Sequence, residues 1–226
     1  MLRSFAKGIN LAFGNLLNKK HLFLGTSLDY LHRPRNIDKN YFDYVRIATL
    51  ELVSHEINKK KIKGNIAELG VYKGKFARYI NQYFPERQFY LFDTFEGFDS
   101  RDVKREKKEN FSSGEQDFSD TSVAAVLRLM PHPQKCTPVK GFFPESATGI
   151  EDEFAFVSLD ADLYEPIYNG LVFFYPKLVK NGYIFIHDFN NDGYKGSRKA
   201  VEQFCNEQKI NYVPIPDSGG SAIITK

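Results

Sequence analysis

The residues best suited to chemistry are acids that directly follow two apolar, strand-like segments. Asp160 and Asp162 close the run FAFVSLDAD, and His187 and Asp188 close the run YIFIHD. If both runs are parallel strands, their ends meet at one edge of a sheet. Carboxylates gathered there repel one another unless a cation or a proton lies between them. A hard divalent ion such as Mg²⁺, which prefers oxygen ligands and keeps several waters, would relieve that repulsion.

Asp162 has two interpretations that the sequence leaves open. An alcohol that attacks a methyl group must lose its proton, and a carboxylate beside a metal-polarised hydroxyl can accept it. With Glu165, however, Asp162 could instead form a capping box, DLYE, at the start of a helix. Asp160 is harder to explain structurally, because a carboxylate that ends an apolar strand must be paired or hydrated. We expect His187 to support the site, since imidazole is a poor ligand for Mg²⁺.

A second group of candidates follows two earlier apolar segments. Glu68 and Gly70 close NIAELG, and Gly74 lies in the turn beyond it. Asp93 closes QFYLFD, 23 residues after Gly70, near the separation at which an acid meets a ribose diol in nucleotide-binding folds. The G-x-G-x-x-G cradle for a pyrophosphate is absent, so a ribose-bearing ligand without phosphates, such as S-adenosylmethionine (SAM), fits better. Alternatively, Asp93 caps the following turn.

The elements that position these residues alternate between strands and helices. Short runs rich in Val, Ile, Phe and Tyr, separated by helical segments, are typical of a parallel sheet that is covered on both faces. Near the C-terminus, YVPI and SAIIT are joined by PDSGG, which predicts an antiparallel hairpin. The predicted fold is therefore α/β, a doubly wound Rossmann-like sheet of seven strands, mostly parallel with an antiparallel last strand.

Three further segments have weaker patterns. A helix is expected from Tyr41 to about Lys60, with an apolar face that includes Val45, and a connection is expected at 25–40. The polar stretch 99–119 shows almost no apolar periodicity and is expected to be either a lid or a disordered insertion.

Composition narrows the classes of function. The chain has 226 residues and a formal net charge of +3 from intermixed charges, which fits one compact domain and argues against a nucleic-acid partner. Cys136 and Cys205 form no metal or disulfide pattern, as expected in the cytoplasm. No apolar run is long enough to span a membrane.

The N-terminal residues form a separate amphipathic pattern. Leu2, Phe5, Ile9, Phe13 and Leu16 recur at helical spacing. That stripe could pack on the body, on another subunit of a homo-oligomer or on a membrane surface. The sparse basic face favours the first two.

Taken together, the motifs resemble those of the macrocin-type sugar O-methyltransferases, a family of class I SAM-dependent methyltransferases. The matching strings occur in family order over about 160 residues: IAELGVYKGKFARYIN, LFDTFEGF, DTS, VKGFFPES and FVSLDADLYEPIYNGLVFFYPKLVKNGYIFIHDF. The pair LFDTFEGF and LDADLYEP is the most specific part. The resemblance implies a small-molecule glycoside or saccharide acceptor. The resemblance begins at Tyr41, so a methyltransferase domain is expected at 41–226. The amphipathic pattern predicts a separate N-terminal helical extension at 1–40, which is expected to shape the acceptor site or an oligomer contact.

The resemblance also implies roles for individual residues. Asp162 is the expected base, and Asp160 and Asp188 are the expected ligands of Mg²⁺ or a similar ion. The sequence departs from the family at His187, where well-matched members carry another Asp. The alternatives to a methyltransferase are a non-catalytic domain of the same fold and a nucleotide-dependent oxidoreductase. The expected SAM-binding residues are Glu68, Gly70, Asp93, Thr94, Asp120, Ser122 and Asp160, although Asp120 alone would more simply be a helix N-cap.

Overall fold

A computed structural model describes residues 2–20, 22 and 43–226. The chain divides into two units, Met1–Phe42 and Asp43–Lys226. The connection expected at 25–40 lies outside the described residues. In the first unit, the amphipathic pattern forms one helix, α1 (Leu2–Asn18). Within the described parts of the chain, no helix combines the length and apolar character needed to cross a bilayer.

The second unit is built on a seven-stranded sheet, which confirms the predicted fold class. Its strand order is β3-β2-β1-β4-β5-β7-β6, and the first five strands of the chain are parallel. β7 runs antiparallel to both β5 and β6, as the hairpin pattern predicts. The strands are β1 (Asn65–Leu69), β2 (Phe89–Asp93), β3 (Cys136–Lys140), β4 (Phe154–Leu159), β5 (Leu178–Ile186), β6 (Val213–Pro214) and β7 (Ala222–Thr225).

The strand order reverses between β1 and β4, which are neighbours in the sheet. At such a switch point the connections leave in opposite directions, so a crevice opens beyond the carboxyl ends of the strands. β4 is buried along its whole length, as expected for the centre of a sheet with both faces covered. The fold therefore places the acids that end β1, β2, β4 and β5 around this crevice.

Helices cover both faces of the sheet. α2 ends at Lys59, close to the predicted end, while residues 41 and 42 lie outside the described part. The position of Gly64 just beyond the helix suggests a C-cap, but the C-cap is Lys60. Gly64 has a φ of 123°, and an added Cβ would lie 2.8 Å from the backbone nitrogen of Ala155, so glycine is needed for the close approach to β4. The helices are α2 (Tyr44–Lys59), α3 (Lys75–Tyr83), α4 (Ser100–Glu109), α5 (Val123–Leu129), α6 (Tyr164–Lys177) and α7 (Lys195–Gln208).

The polar stretch 99–119 differs from the expectation. Half of it is α4, so the alternative of a disordered insertion is wrong. Asp99 caps the helix by accepting from the backbone N–H of Arg101, and Asn110 ends it in the left-handed conformation. Asp102 and Glu106 are buried although both are acids. A helix that buries acids has no apolar stripe, which is why periodicity did not reveal it.

Candidate active site

Four side chains at the ends of β4 and β5 form one group, here called the strand-end cluster: Asp160, Asp162, His187 and Asp188. The parallel register pairs Leu159 with Ile186, so Asp160 and His187 leave adjacent strands at the same level. The backbone N–H of His187 donates to the Leu159 carbonyl over 2.9 Å. The sequence prediction that these residues meet at one sheet edge is consistent with this geometry.

Asp160 lies between two cationic side chains. Its Oδ2 is 2.9 Å from Nη2 of Arg46, and its Oδ1 is 2.9 Å from Nδ1 of His187. Burial alone would raise the pKa of Asp160, but these two partners hold it well below its usual range. Asp160 is therefore ionised and paired, as a carboxylate at the end of a buried strand must be.

His187 joins the two outer carboxylates of the cluster. Its Nδ1 is also 2.7 Å from Oδ2 of Asp188, whose other oxygen accepts from the amide of Asn191 at 2.7 Å. Burial would lower the pKa of His187, but Asp160 and Asp188 outweigh it and raise the pKa to about 10. Protonated His187 and Arg46 together thus supply two positive charges beside the two acids.

Asp162 is the carboxyl group of the cluster whose pKa is shifted upwards. Burial and the nearby charges of Asp160 and Asp188 raise its pKa well above the usual range, whereas the hydrogen bond to His187 lowers the pKa of Asp188. Asp162 has a φ of 59° and Asp188 a φ of 54°. Both adopt the left-handed conformation, which Asp tolerates better than most residues. A half-buried carboxyl with a raised pKa is the kind of group that functional sites use for proton transfer.

The capping interpretation of Asp162 is wrong. The N-cap of α6 is Leu163, whose side chain makes no capping bond. The buried carboxylate of Glu106, on α4, accepts from the backbone N–H of Tyr164 at 2.7 Å instead. Glu165, the other half of the proposed box, pairs with Arg105. Glu106 thus takes the structural task, and the side chain of Asp162 is not needed to start α6.

Glu68 connects the strand-end cluster to the ends of β1 and β2. It is 1% exposed, and its Oε2 has no hydrogen-bond partner among the described residues. Burial raises its pKa, and the charges of Asp160 and Asp93 raise it further. Glu68 is therefore close enough to both acids to feel their charges, and its unpaired oxygen is suited to a ligand with a donor group.

Asp93 organises the turn that follows β1. Its Oδ2 accepts from the backbone N–H groups of Val71 and Tyr72 at 2.7 and 2.8 Å, and its Oδ1 accepts from that of Phe95 at 2.6 Å. The turn-capping interpretation is therefore realised. It does not exclude ribose binding, because a carboxylate offers about four lone-pair sites and three are occupied here.

Gly70 and Thr94 have clear structural tasks. Gly70 has a φ of 86°, and a Cβ there would lie 2.2 Å from the carbonyl oxygen of Asp160. Only glycine allows β1 and β4 to approach so closely at the switch point. The hydroxyl of Thr94 donates to the Gly97 carbonyl at 2.6 Å and so closes the turn after β2.

Asp120 contacts the turn after β1 through Tyr72, and Ser122 lies two residues further along the chain. The Tyr72 hydroxyl donates to Oδ1 of Asp120 at 2.5 Å, and Lys73 pairs with the other oxygen. Asp120 is exposed and is not the helix N-cap that its position suggests. Ser122 caps α5 instead, by accepting from the N–H of Ala125 at 3.2 Å.

The turn between β6 and β7 packs against the far side of His187. A Cβ at Gly219 would lie 2.2 Å from Nε2 of the imidazole, so only glycine fits. Ligand atoms of Asp43, His187 and Asp217 lie within 4.8 Å of one another, and Asp43 accepts from the hydroxyl of Ser218 at 2.7 Å. The sequence predicted this segment only as a turn, yet it holds the imidazole in place.

Three residues of the site escaped the sequence analysis. Arg46 lies on α2, 95% buried, with its guanidinium 3.7 Å from the centre of the Phe76 ring. The sequence signal for a role of Arg46 was its position among the apolar residues of a predicted helix. Glu106 lay in a stretch without apolar pattern. Tyr194 hydrogen-bonds Gln116, and burial followed by the charges of Asp162 and Asp188 raises its pKa.

Comparisons with known proteins agree with this fold. The model of the family described as macrocin O-methyltransferase (TylF) matches residues 36–217. The O-methyltransferase NovP superposes with a TM-score of 0.64 at 18% identity, covering 81% of this chain and 80% of NovP. The calicheamicin methyltransferase CalS11 gives 0.65 at 19%, covering 80% of this chain and 78% of CalS11.

At these identities the two solved structures establish a shared fold and nothing more. The comparison with curated proteins gave no match. The family match is stronger, because it spans most of the chain and includes every strand-end acid described above. The chain therefore belongs to the macrocin O-methyltransferase family and is a SAM-dependent O-methyltransferase.

Proposed function

We propose that this enzyme methylates a hydroxyl group of a sugar, in a glycoside or saccharide acceptor, with Asp162 as the base. The observation that carries the proposal is the position of Asp162. It lies half-buried beside Asp160 and Asp188, its raised pKa makes the ionised carboxylate a stronger proton acceptor, and Glu106 performs the capping task that would otherwise explain it. A sugar hydroxyl is a weak acid, so it needs such a base more than a phenol does.

The SAM pocket in this proposal lies beyond the ends of β1 and β2. Asp93 would bind the ribose with its remaining lone pair, and the unpaired oxygen of Glu68 would face a donor group of the cofactor. Gly70 keeps β1 and β4 close enough for both acids to reach one ligand. SAM supplies an electrophilic methyl group when bound. The proposed SAM-binding set is Glu68, Gly70, Asp93, Thr94, Asp120, Ser122 and Asp160, within a catalytic domain at 41–226.

A divalent ion is the second part of the proposal. One ligand atom from each of Asp160, His187 and Asp188 lies within 4.8 Å of the others, a spacing that supports a cation site. An ion there would replace the proton on His187, because ligands must be deprotonated. When bound, it would polarise the acceptor hydroxyl. Asp160 would offer the ion its Oδ1, which faces His187. Its Oδ2 would stay paired with Arg46, which keeps the carboxylate oriented.

The imidazole changes which ion we expect. Mg²⁺ prefers oxygen ligands, whereas transition metals accept imidazole as well. We expect Mn²⁺ to bind at least about tenfold more tightly than Mg²⁺, and His187→Asp to remove most of that difference by restoring a third carboxylate. Calorimetric titration of the purified enzyme with each ion measures both affinities without reference to turnover.

A control variant makes the ion measurement decisive. Asp192→Asn changes an exposed acid close to the cluster in sequence but outside it, and we expect it to leave ion affinity within about twofold, since Asp192 is not a ligand in this proposal. If neither ion binds the unaltered enzyme, or if His187→Asp leaves the affinity for Mg²⁺ unchanged, the metal assignment is wrong.

The acceptor class is tested by turnover. We expect formation of the demethylated cofactor with nucleoside-diphosphate sugars or glycosides and at least about a hundredfold less with simple phenols, because only the sugar hydroxyl requires the buried base. Turnover with phenols alone would contradict the sugar assignment. No turnover with any acceptor would favour a non-catalytic domain, while family membership already argues against an oxidoreductase.

A further inference from the structure

The helix α1 presents one continuous apolar side. Phe5, Ile9, Phe13 and Leu16 follow one another at spacings of four, four and three residues, so they lie along the same side of the helix. Phe5, Phe13 and Leu16 are 65%, 57% and 61% exposed. Leu11 lies on the opposite side among polar residues. This helix precedes the part of the chain that matches the family, residues 36–217.

The charges of this segment all have one sign. Residues 1–28 contain four basic side chains, Arg3, Lys7, Lys19 and Lys20, and no acidic one. The remaining residues contain 27 basic and 28 acidic side chains, so the net positive charge of the protein comes from the segment that carries the apolar side. The basic face of α1 is sparse by itself, with Arg3 and Lys7, but Lys19 and Lys20 follow the helix directly and double its positive charge. An apolar helix side combined with such a basic segment is typical of helices that lie in a lipid interface.

A second copy of the chain fits this side less well. Two α1 helices packed against each other, each followed directly by Lys19 and Lys20, would bring together eight basic side chains with no acid between them. Like charges in an interface oppose association. Gly8 and Gly14 also weaken the helix in water. An anionic bilayer would offset the positive charge, take up the apolar side and stabilise the helix at the same time.

We propose that α1 docks this enzyme on the surface of a bilayer that contains anionic lipids. Phe5, Ile9, Phe13 and Leu16 enter the boundary between headgroups and acyl chains, while Lys7, Lys19 and Lys20 contact the lipid phosphates. The helix lies in the plane of the interface and does not cross the bilayer. The proposal is independent of the acceptor and of the ion, because none of the catalytic residues takes part.

Vesicle sedimentation with the full chain tests this proposal. We expect the protein to sediment with vesicles of equal parts phosphatidylglycerol and phosphatidylcholine, less with phosphatidylcholine alone, and less at high salt. The double variant Phe5→Ser, Phe13→Ser is expected to lower the partition coefficient by about tenfold or more, because two anchors of the apolar side are lost. Leu11→Ser is the matched control, and we expect a change within about twofold because Leu11 lies on the polar side.

Four results would overturn the proposal. One is the failure of the unaltered chain to bind the anionic vesicles at low salt. Another is an equal loss of binding in Leu11→Ser, which would mean that the apolar side is not the contact. The third is a dimer in light scattering that the double variant converts to a monomer, because the side would then bind a second copy. The fourth is a large fall in the melting temperature of the double variant, because Phe5 and Phe13 would then pack against the protein itself. The melting temperature of every variant also serves as the control for folding.

Discussion

Replacing Asp162 with asparagine is expected to lower kcat by about 10²–10⁴-fold, the usual loss when a general base is removed. Asparagine has nearly the same size but cannot accept the proton of the acceptor hydroxyl. The affinity for SAM should change by less than about twofold, because Asp162 is not one of the proposed cofactor contacts. Single-turnover rates and calorimetric titration with SAM measure the two quantities separately.

The control for this variant is Asp192→Asn. Asp192 is an exposed acid in the short turn at Asp192–Tyr194, close to the cluster in sequence but outside it. We expect its kcat to remain within about twofold of the unaltered enzyme. Asp162 would not be the base if Asp162→Asn weakened SAM binding as much as it slowed turnover, or if both variants lost activity equally.

Replacing Asp93 with alanine has the second large expected effect. The variant loses the carboxylate proposed to bind the ribose, and a hydrogen bond to a charged group contributes about 1.5–3 kcal/mol. We therefore expect the affinity for SAM to fall by at least about tenfold. The melting temperature should also fall, because the N–H groups of Val71, Tyr72 and Phe95 lose their acceptor.

Two measurements on Asp93→Ala separate ligand binding from folding. Asp99→Ala is the matched control, since Asp99 also accepts from a backbone N–H, that of Arg101, but belongs to α4. It should lose stability through its cap without losing affinity for SAM. If Asp93→Ala lowers the melting temperature but the folded fraction binds SAM as tightly as before, Asp93 only caps the turn and its proposed contact with the ribose is wrong.

Local patterns predicted the strands well and some boundaries poorly. The apolar runs at β1, β2 and β4 match their strands to within one residue, because a strand buried on both faces must be apolar throughout. β5 begins at Leu178, five residues before the predicted start, since its first part pairs only at Leu178 before a register shift. Exposed Lys180 and Asn181 interrupt the apolar run there, so that part resembles a turn.

α4 shows where periodicity fails for a physical reason. Its buried residues are Asp102 and Glu106, and Glu106 is satisfied by the backbone N–H of Tyr164 and by the hydroxyl of Ser112. Those partners are up to 58 residues away along the chain. No local pattern can indicate that an acid will be buried, because the hydrogen bonds that permit its burial come from another element.

Local sequence is enough to predict most strands and helices in order, the acids at the ends of β1, β2, β4 and β5, and the resemblance to a methyltransferase family. These features depend on apolar runs and on residues that are neighbours in the chain. Contacts between distant parts of the chain, in contrast, pair Arg46 with Asp160, cap α6 with Glu106 in place of Asp162, and pack the turn at Gly219 against His187. Each of these contacts joins groups far apart in sequence, and the charge state of a buried acid depends on such neighbours in space and not on its neighbours in the chain.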